Sequence, residues 1–109
     1  MPESTERGAL TEAVYYILLS LYSPMHGYGI MQNVKEMSKG RVSLGAGTMY
    51  GAIGTLLEKG LVRPESGEND SRKKEYVITE AGREVVSGEI SRLEELLDNG
   101  RRIVGGVMK

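Results

Sequence analysis

Between Lys39 and Lys74 the chain gathers the side chains best suited to meet a polyanion. Lys39 and Arg41 lead into a segment, Ser43 to Gly60, that offers Thr48, Tyr50 and Thr55 as hydrogen-bonding groups, and the cations Arg72, Lys73 and Lys74 follow it. Cations and hydroxyls are the groups that reach phosphate oxygens, so this chemistry is recognition rather than bond-making. Gly51 and Gly54 keep the same segment low in profile, and a DNA major groove is wide enough to accept a helix.

Reaction chemistry is poorly provided for. There is no cysteine, and His26 is the only histidine, so neither the usual zinc ligand sets nor a Cys-His dyad can be assembled within one chain. No strand-turn-helix nucleophile signature surrounds any serine. The expectation is a protein that is not an enzyme and uses no cofactor or metal. The longest apolar run, Ala13 to Leu19, falls well short of the roughly 18 residues a membrane span needs, and the acidic N-terminus lacks the basic region of a signal peptide. A soluble cytoplasmic protein without membrane association is therefore expected. Its 109 residues suit one domain, or one domain plus an extra helix. The net charge of −1 is unevenly spread: residues 1–34 carry −2, residues 35–83 carry +2 and residues 84–109 carry −1. The one positive part is the part that holds the candidate contacts.

Several elements must hold that segment in place. Residues 1–8 are polar and read as a mobile tail. Apolar spacing predicts a helix from about Ala9 to Tyr22, stopped by Ser23-Pro24. Leu10, Val14, Ile17, Leu18 and Leu21 form its stripe, and Ala13, Tyr15, Tyr16, Leu19 and Tyr22 widen the apolar surface beyond what one side of a small domain covers. The second cover is expected to be another subunit or a bound ligand. A second helix opens near His26, read as a structural or capping residue, and turns Ile30, Val34 and Met37 inward. The connection Lys39 to Val42 follows, with a short strand pair expected at Val42. In the Ser43 to Gly60 helix, Met49, Ile53, Leu56 and Leu57 fall on one buried face, Ser43 is the expected cap and Gly60 the terminator.

After Gly60 the period changes to two. Leu61 to Glu65 and Lys74 to Thr79 read as paired strands around a turn-rich tip, with Pro64 at an edge or end and Tyr76 and Ile78 on one face. Thr79 then caps a helix from about Glu80 toward Val107. Its Val86, Ile90, Leu93, Leu97, Gly100, Val104 and Val107 alternate spacings of four and three, a heptad seam. That seam, with Leu10 and Val14, is the expected dimer surface. The predicted fold is mainly α with a small β-hairpin: a winged helix-turn-helix over residues 9–79 and a C-terminal dimerisation helix over 80–109.

The local strings are more specific than the order of elements. His26-Gly27-Tyr28-Gly29-Ile30, Gly47-Thr48-Met49-Tyr50 with Ile53, Leu56-Leu57-Glu58-Lys59-Gly60-Leu61-Val62, and Arg72-Lys73-Lys74-Glu75-Tyr76-Val77-Ile78-Thr79-Glu80-Ala81-Gly82 together resemble the PadR family of bacterial transcriptional regulators, over residues from about Leu10 to Leu97. The single C-terminal helix is similar to the shorter subfamily. The resemblance implies a homodimeric repressor, held by its first and last helices, that binds double-stranded operator DNA of pseudo-palindromic sequence and is released by a small effector or by stress. It places Tyr50 and its neighbours against DNA and the basic wing residues near phosphates. Gly51, Gly54 and Thr55 stand where relatives often carry larger or basic side chains, which implies sparse reading of base edges and more reliance on backbone approach and DNA shape. An apolar or aromatic effector is expected between Tyr15, Tyr16, Leu19 and Tyr22 of the first helix and Leu93, Leu96 and Leu97 of the last. The chain has no tryptophan, so the sandwich of flat molecules between tryptophans used by some relatives is not available. The alternative reading is a winged helix that binds protein and not DNA.

Overall fold

The computed structural model describes residues 9–65 and 74–106. Helix α1, Glu12–Ser20, is followed by β1, Met25–His26, and α2, Gly27–Met37; then come α3, Ala46–Glu58, β2, Val62–Pro64, β3, Glu75–Ile78, and α4, Glu80–Val104. The order is that of a winged helix-turn-helix with a long C-terminal helix. The expected tail, the wing tip, Arg72, Lys73 and Val107 lie outside the described residues.

Capping sets the helix bounds. Thr11 accepts a hydrogen bond from the Val14 amide at 3.1 Å, so α1 begins at Glu12 and not at Ala9 as the apolar spacing predicts. Glu12 in the first turn complements the helix dipole. The helix closes at Ser20, two residues before the expected Tyr22, with the Ser20 hydroxyl donating back to the Tyr16 carbonyl. His26 is the cap of α2, its Nδ1 accepting from the Gly29 amide at 3.4 Å. Ser43 does not cap α3: the cap position is Gly45 and carries no side-chain bond. At the other end Gly60, with φ +74°, completes the expected stop. The Leu61 amide bonds to the Leu56 carbonyl and the Gly60 amide to Leu57, both at 3.0 Å, which is the Schellman arrangement.

Two further expectations are corrected. Met37 is half-exposed, and Ser38 takes the buried position at the end of α2, its hydroxyl accepting from the Val42 amide at 2.9 Å. Val42 is therefore held by a serine and makes no strand pair. The extra strand is β1, and the sheet order is β1-β3-β2, antiparallel, with Met25 opposite Tyr76 and Val62 opposite Ile78. A two-residue strand has no periodicity to read, so the sequence shows only a hairpin there. Strand β3 lies in the centre, and Val77 is buried along with Tyr76 and Ile78, so both faces of this strand are covered. Pro64 ends the edge strand β2, where its missing N–H costs no ladder bond.

Ile17, Leu18, Leu21, Ile30, Val34, Met49, Ile53, Leu56, Val62 and Val86 build one core between α1, α2, α3, the sheet and the first turns of α4. From Ile90 onward α4 leaves that core, and the molecule is elongated, 61 × 29 × 24 Å. Among the described residues no helix is long and apolar enough to cross a membrane.

The joint between α3, the sheet and α4 is close. Thr79 accepts from the Gly82 amide at 3.1 Å and donates to the Gly60 carbonyl at 2.7 Å. A Cβ on Gly82 would collide with the Leu61 carbonyl oxygen and lie 2.6 Å from Ile78 Cγ1. Backbone cannot move aside cheaply, so Gly82→Ala is expected to destabilise by about 1–3 kcal/mol, outweighing alanine's better helix propensity. Thermal unfolding followed by circular dichroism checks this, and an unchanged or raised midpoint would contradict it.

Candidate nucleic-acid interface

Helix α3 turns Met49, Ile53 and Leu56 into the core. Opposite them, Gly47, Gly51 and Gly54 recur at i, i+4 and i+7, and a Cβ built on any of the three meets no atom within 4 Å. Packing among the described residues does not explain their small size. Each lowers helix stability by about 1 kcal/mol relative to alanine. The face is flanked by exposed Thr48 and Thr55. The Thr55 hydroxyl donates to the Gly51 carbonyl at 3.3 Å, so it is already partly engaged.

Tyr50 stands at the border of this face, 46% exposed. Its ring does not project freely: the hydroxyl lies over Gly27 at the start of α2. The neighbouring Tyr76 has its phenol pushed up, chiefly by burial and further by Tyr50. Tyr28, beside Gly27, is 65% exposed. Its position between Gly27 and Gly29 in the first turn of α2 gives it two neighbours without side chains.

The cations are placed unequally. Lys39 has φ +56° and occupies the left-handed position ending α2, with the Gly40 amide bonded to the Lys35 carbonyl at 2.8 Å. Arg41 is engaged inside the chain: its guanidinium holds both carboxylate oxygens of Glu12 and reaches the Ser38 carbonyl. That hydrogen-bonded pair holds the Glu12 carboxyl below the usual carboxylate range. Lys74 is half-buried at the foot of β3.

The residues expected around an effector are divided. Tyr15, Tyr16 and Leu93 share a cavity of about 270 Å³ with Leu10, Glu12, Glu89 and Arg92. Leu96 and Leu97 line a separate groove with Gly100 and Val104. Tyr22 lies beneath the Arg83 guanidinium, 4.6 Å from its ring centre, and Leu19 packs on the core. A further cavity of about 670 Å³ lies elsewhere, lined by Leu10, Val14 and Val85 together with Ala52, Thr55 and Leu56. Of the expected dimer residues, Val86 is 2% exposed and belongs to the chain's own core, because the first turns of α4 pack on the sheet. Leu10 and Val14 are half-buried, whereas Ile90, Leu93, Leu97 and Val104 are exposed, the last to 87%.

Residues 16–87 match the family described as Transcriptional regulator PadR-like family. The chain belongs to the PadR-like family. Its members are transcriptional regulators. A 37.1 kDa protein of transposon TN4556 from Streptomyces fradiae is 38% identical over 73 residues, 67% of this chain and 20% of that protein, so the PadR-like chain spans about a fifth of that relative. A PadR family transcriptional regulator from Eggerthella lenta superimposes with a TM-score of 0.67 at 23% identity, covering 85% of this chain and 81% of that one. A transcriptional regulator from Clostridium thermocellum does so with a TM-score of 0.60 at 19% identity, covering 91% and 93%. At these identities the two structures bear on the fold alone.

Two ion pairs generate measurable expectations. Glu12 offsets the charge that Arg41 can offer to a phosphate, so Glu12→Gln is expected to tighten binding to duplex DNA roughly two- to fivefold, the range of an exposed pair. Weaker or unchanged binding would show that Arg41 does not contact DNA. Glu89 is buried, and Arg92 bonds both its oxygens at 3.0 and 2.6 Å. That bonding holds the Glu89 carboxyl below its ordinary value of 4.5. A depressed folded pKa adds stability above the unfolded value, and the addition is lost as pH falls through the folded value. Glu89→Gln should therefore be less stable than the parent at about pH 7, with the difference narrowing by about pH 3 in denaturant titrations.

Proposed function

We propose that the chain is a homodimeric transcriptional repressor that binds a pseudo-palindromic operator through α3 of each copy and is released by a small apolar or aromatic effector. The observation that carries this reading is the glycine face of α3, which lowers helix stability and has no packing reason among the described residues. A helix without protruding side chains can lie deep in a major groove, where Thr48, Thr55 and the ring of Tyr50 become its contacts. Tyr28, Lys39, Lys74 and the wing residues Arg72 and Lys73 serve the flanking phosphates, with Arg41 joining them once Glu12 lets go. Base edges are read sparsely, and DNA shape supplies the remaining specificity.

The dimer reading draws on α4, whose exposed Ile90, Leu93, Leu97 and Val104 continue a heptad seam past the end of the core. Two-fold symmetry then sets the α3 helices about 34 Å apart, one turn of DNA. The effector reading draws on the Tyr15, Tyr16 and Leu93 cavity, which lies beside that seam. A regulator of this kind works in the cytoplasm.

The test is a titration of promoter DNA across a range of salt with the parent chain and Gly51→Ala/Gly54→Ala. The parent should bind as two chains per duplex, with log K falling about 0.9 per phosphate contact for each unit of log salt. The double variant should be more stable by up to about 2 kcal/mol yet bind more weakly, since the added methyl groups improve the helix and hold it off the groove. A more stable variant with undiminished affinity would remove the groove from this reading. No binding by the parent even at low salt would favour a winged helix that recognises protein.

A further inference from the structure

Gly27 is the first residue of α2 and is buried. Its φ is not in the left-handed region, so backbone freedom does not require a glycine. Space does. A Cβ at this position would collide with the Tyr50 hydroxyl and lie 2.8 Å from Tyr50 Cζ, with Met49 Cε also at 2.8 Å. Met49 Cε is the far end of a flexible side chain and can yield. Tyr50 has less freedom, because its ring is rigid and reaches Gly27 from a helix fixed by the core. The notch at Gly27 is thus filled by the one aromatic side chain of α3, and Tyr76 of β3 stands beside the same ring.

We infer that Gly27 is a positioning residue for DNA binding, acting through Tyr50. The notch folds the Tyr50 ring down across the start of α2, so that one edge is offered to DNA while the glycine face beside it stays clear. With the notch filled, the ring must swing outward, where it stands over the Gly47 end of the glycine face and props α3 away from the groove. This rests on the DNA-binding reading, and it assigns a role on the helix before α3 to a residue that need not touch DNA.

The sign of the coupling is the distinguishing consequence. If Gly27 were required by some contact other than Tyr50, the loss from Gly27→Ala would add to that from Tyr50→Ala. Under the present inference, Tyr50→Ala removes the side chain that Gly27→Ala displaces, and so rescues it. The experiment measures DNA affinity and thermal midpoint for the parent, Gly27→Ala, Tyr50→Ala and the double variant. Gly27→Ala should weaken binding roughly tenfold, Tyr50→Ala should weaken it less, and the double variant should match Tyr50→Ala. The midpoint should follow the same pattern, with Gly27→Ala costing stability in the parent and little in the Tyr50→Ala background. Losses that multiply in the double variant would overturn the inference, as would a midpoint lowered equally in both backgrounds, which would assign the notch to Met49. If Gly27→Ala alone fails to fold, recovery of a folded double variant supports the coupling and its failure to fold overturns it. The midpoint cycle reads the notch without DNA, so absence of DNA binding by the parent would separate the failure of the functional reading from that of the Gly27–Tyr50 coupling.

Discussion

The hydroxyl of Thr79 joins the two working parts of the molecule. It donates to the Gly60 carbonyl at the end of α3 and accepts from the Gly82 amide in the first turn of α4. The Thr79 amide meanwhile bonds to the Leu61 carbonyl at 3.0 Å, and the Ile78 amide to the Leu21 carbonyl at the end of α1 at 2.8 Å. One hydroxyl acts as donor and acceptor at once, and it does so where three helices and the sheet converge. The absence of a side chain at Gly82 lets the first turn of α4 rest on the Leu61 carbonyl. Through this contact the direction in which α4 leaves the core is set relative to α3.

Glycine plays two opposite parts in this chain. At Gly27 and Gly82 a Cβ would meet a neighbour, and the small residue permits a close approach within the molecule. At Gly47, Gly51 and Gly54 a Cβ would meet nothing within 4 Å among the described residues, and the helix carries the cost without compensation from them. A residue type that lowers helix propensity and is not needed for packing points outward, to whatever surface α3 lies against.

Charge is also divided between internal and external use. The middle of the sequence carries the chain's only positive balance, yet Arg41 is held by Glu12, and Arg63 lies 3.5 Å from Glu65. In the same way Arg92 is directed to the buried Glu89 one turn earlier on α4, in the cavity that Leu10 and Tyr15 also line. Formal charge therefore overstates what is available to a polyanion. The acid in the first turn of α1 sets how much of Arg41 remains, which links the apolar first helix to the entrance of α3.

The sequence alone determined the helices and the wing, because apolar spacing, the caps at His26 and Thr79 and the stop at Gly60 are local and act within a few residues. It also showed the heptad seam and the family strings, since both are patterns along the chain. Tertiary structure decided what depends on residues far apart. The strand at Met25–His26 exists only because Tyr76 and Glu75 come alongside it. Tyr50 looked free to project and is instead folded over Gly27, and Arg41 looked available and is paired across 29 positions with Glu12. Val86 looked like part of the seam and is core, because only packing shows where α4 leaves the domain. Periodicity reports which face of an element is apolar; what covers that face, and which neighbour claims a charge or a ring, is set by distances that the order of residues does not contain.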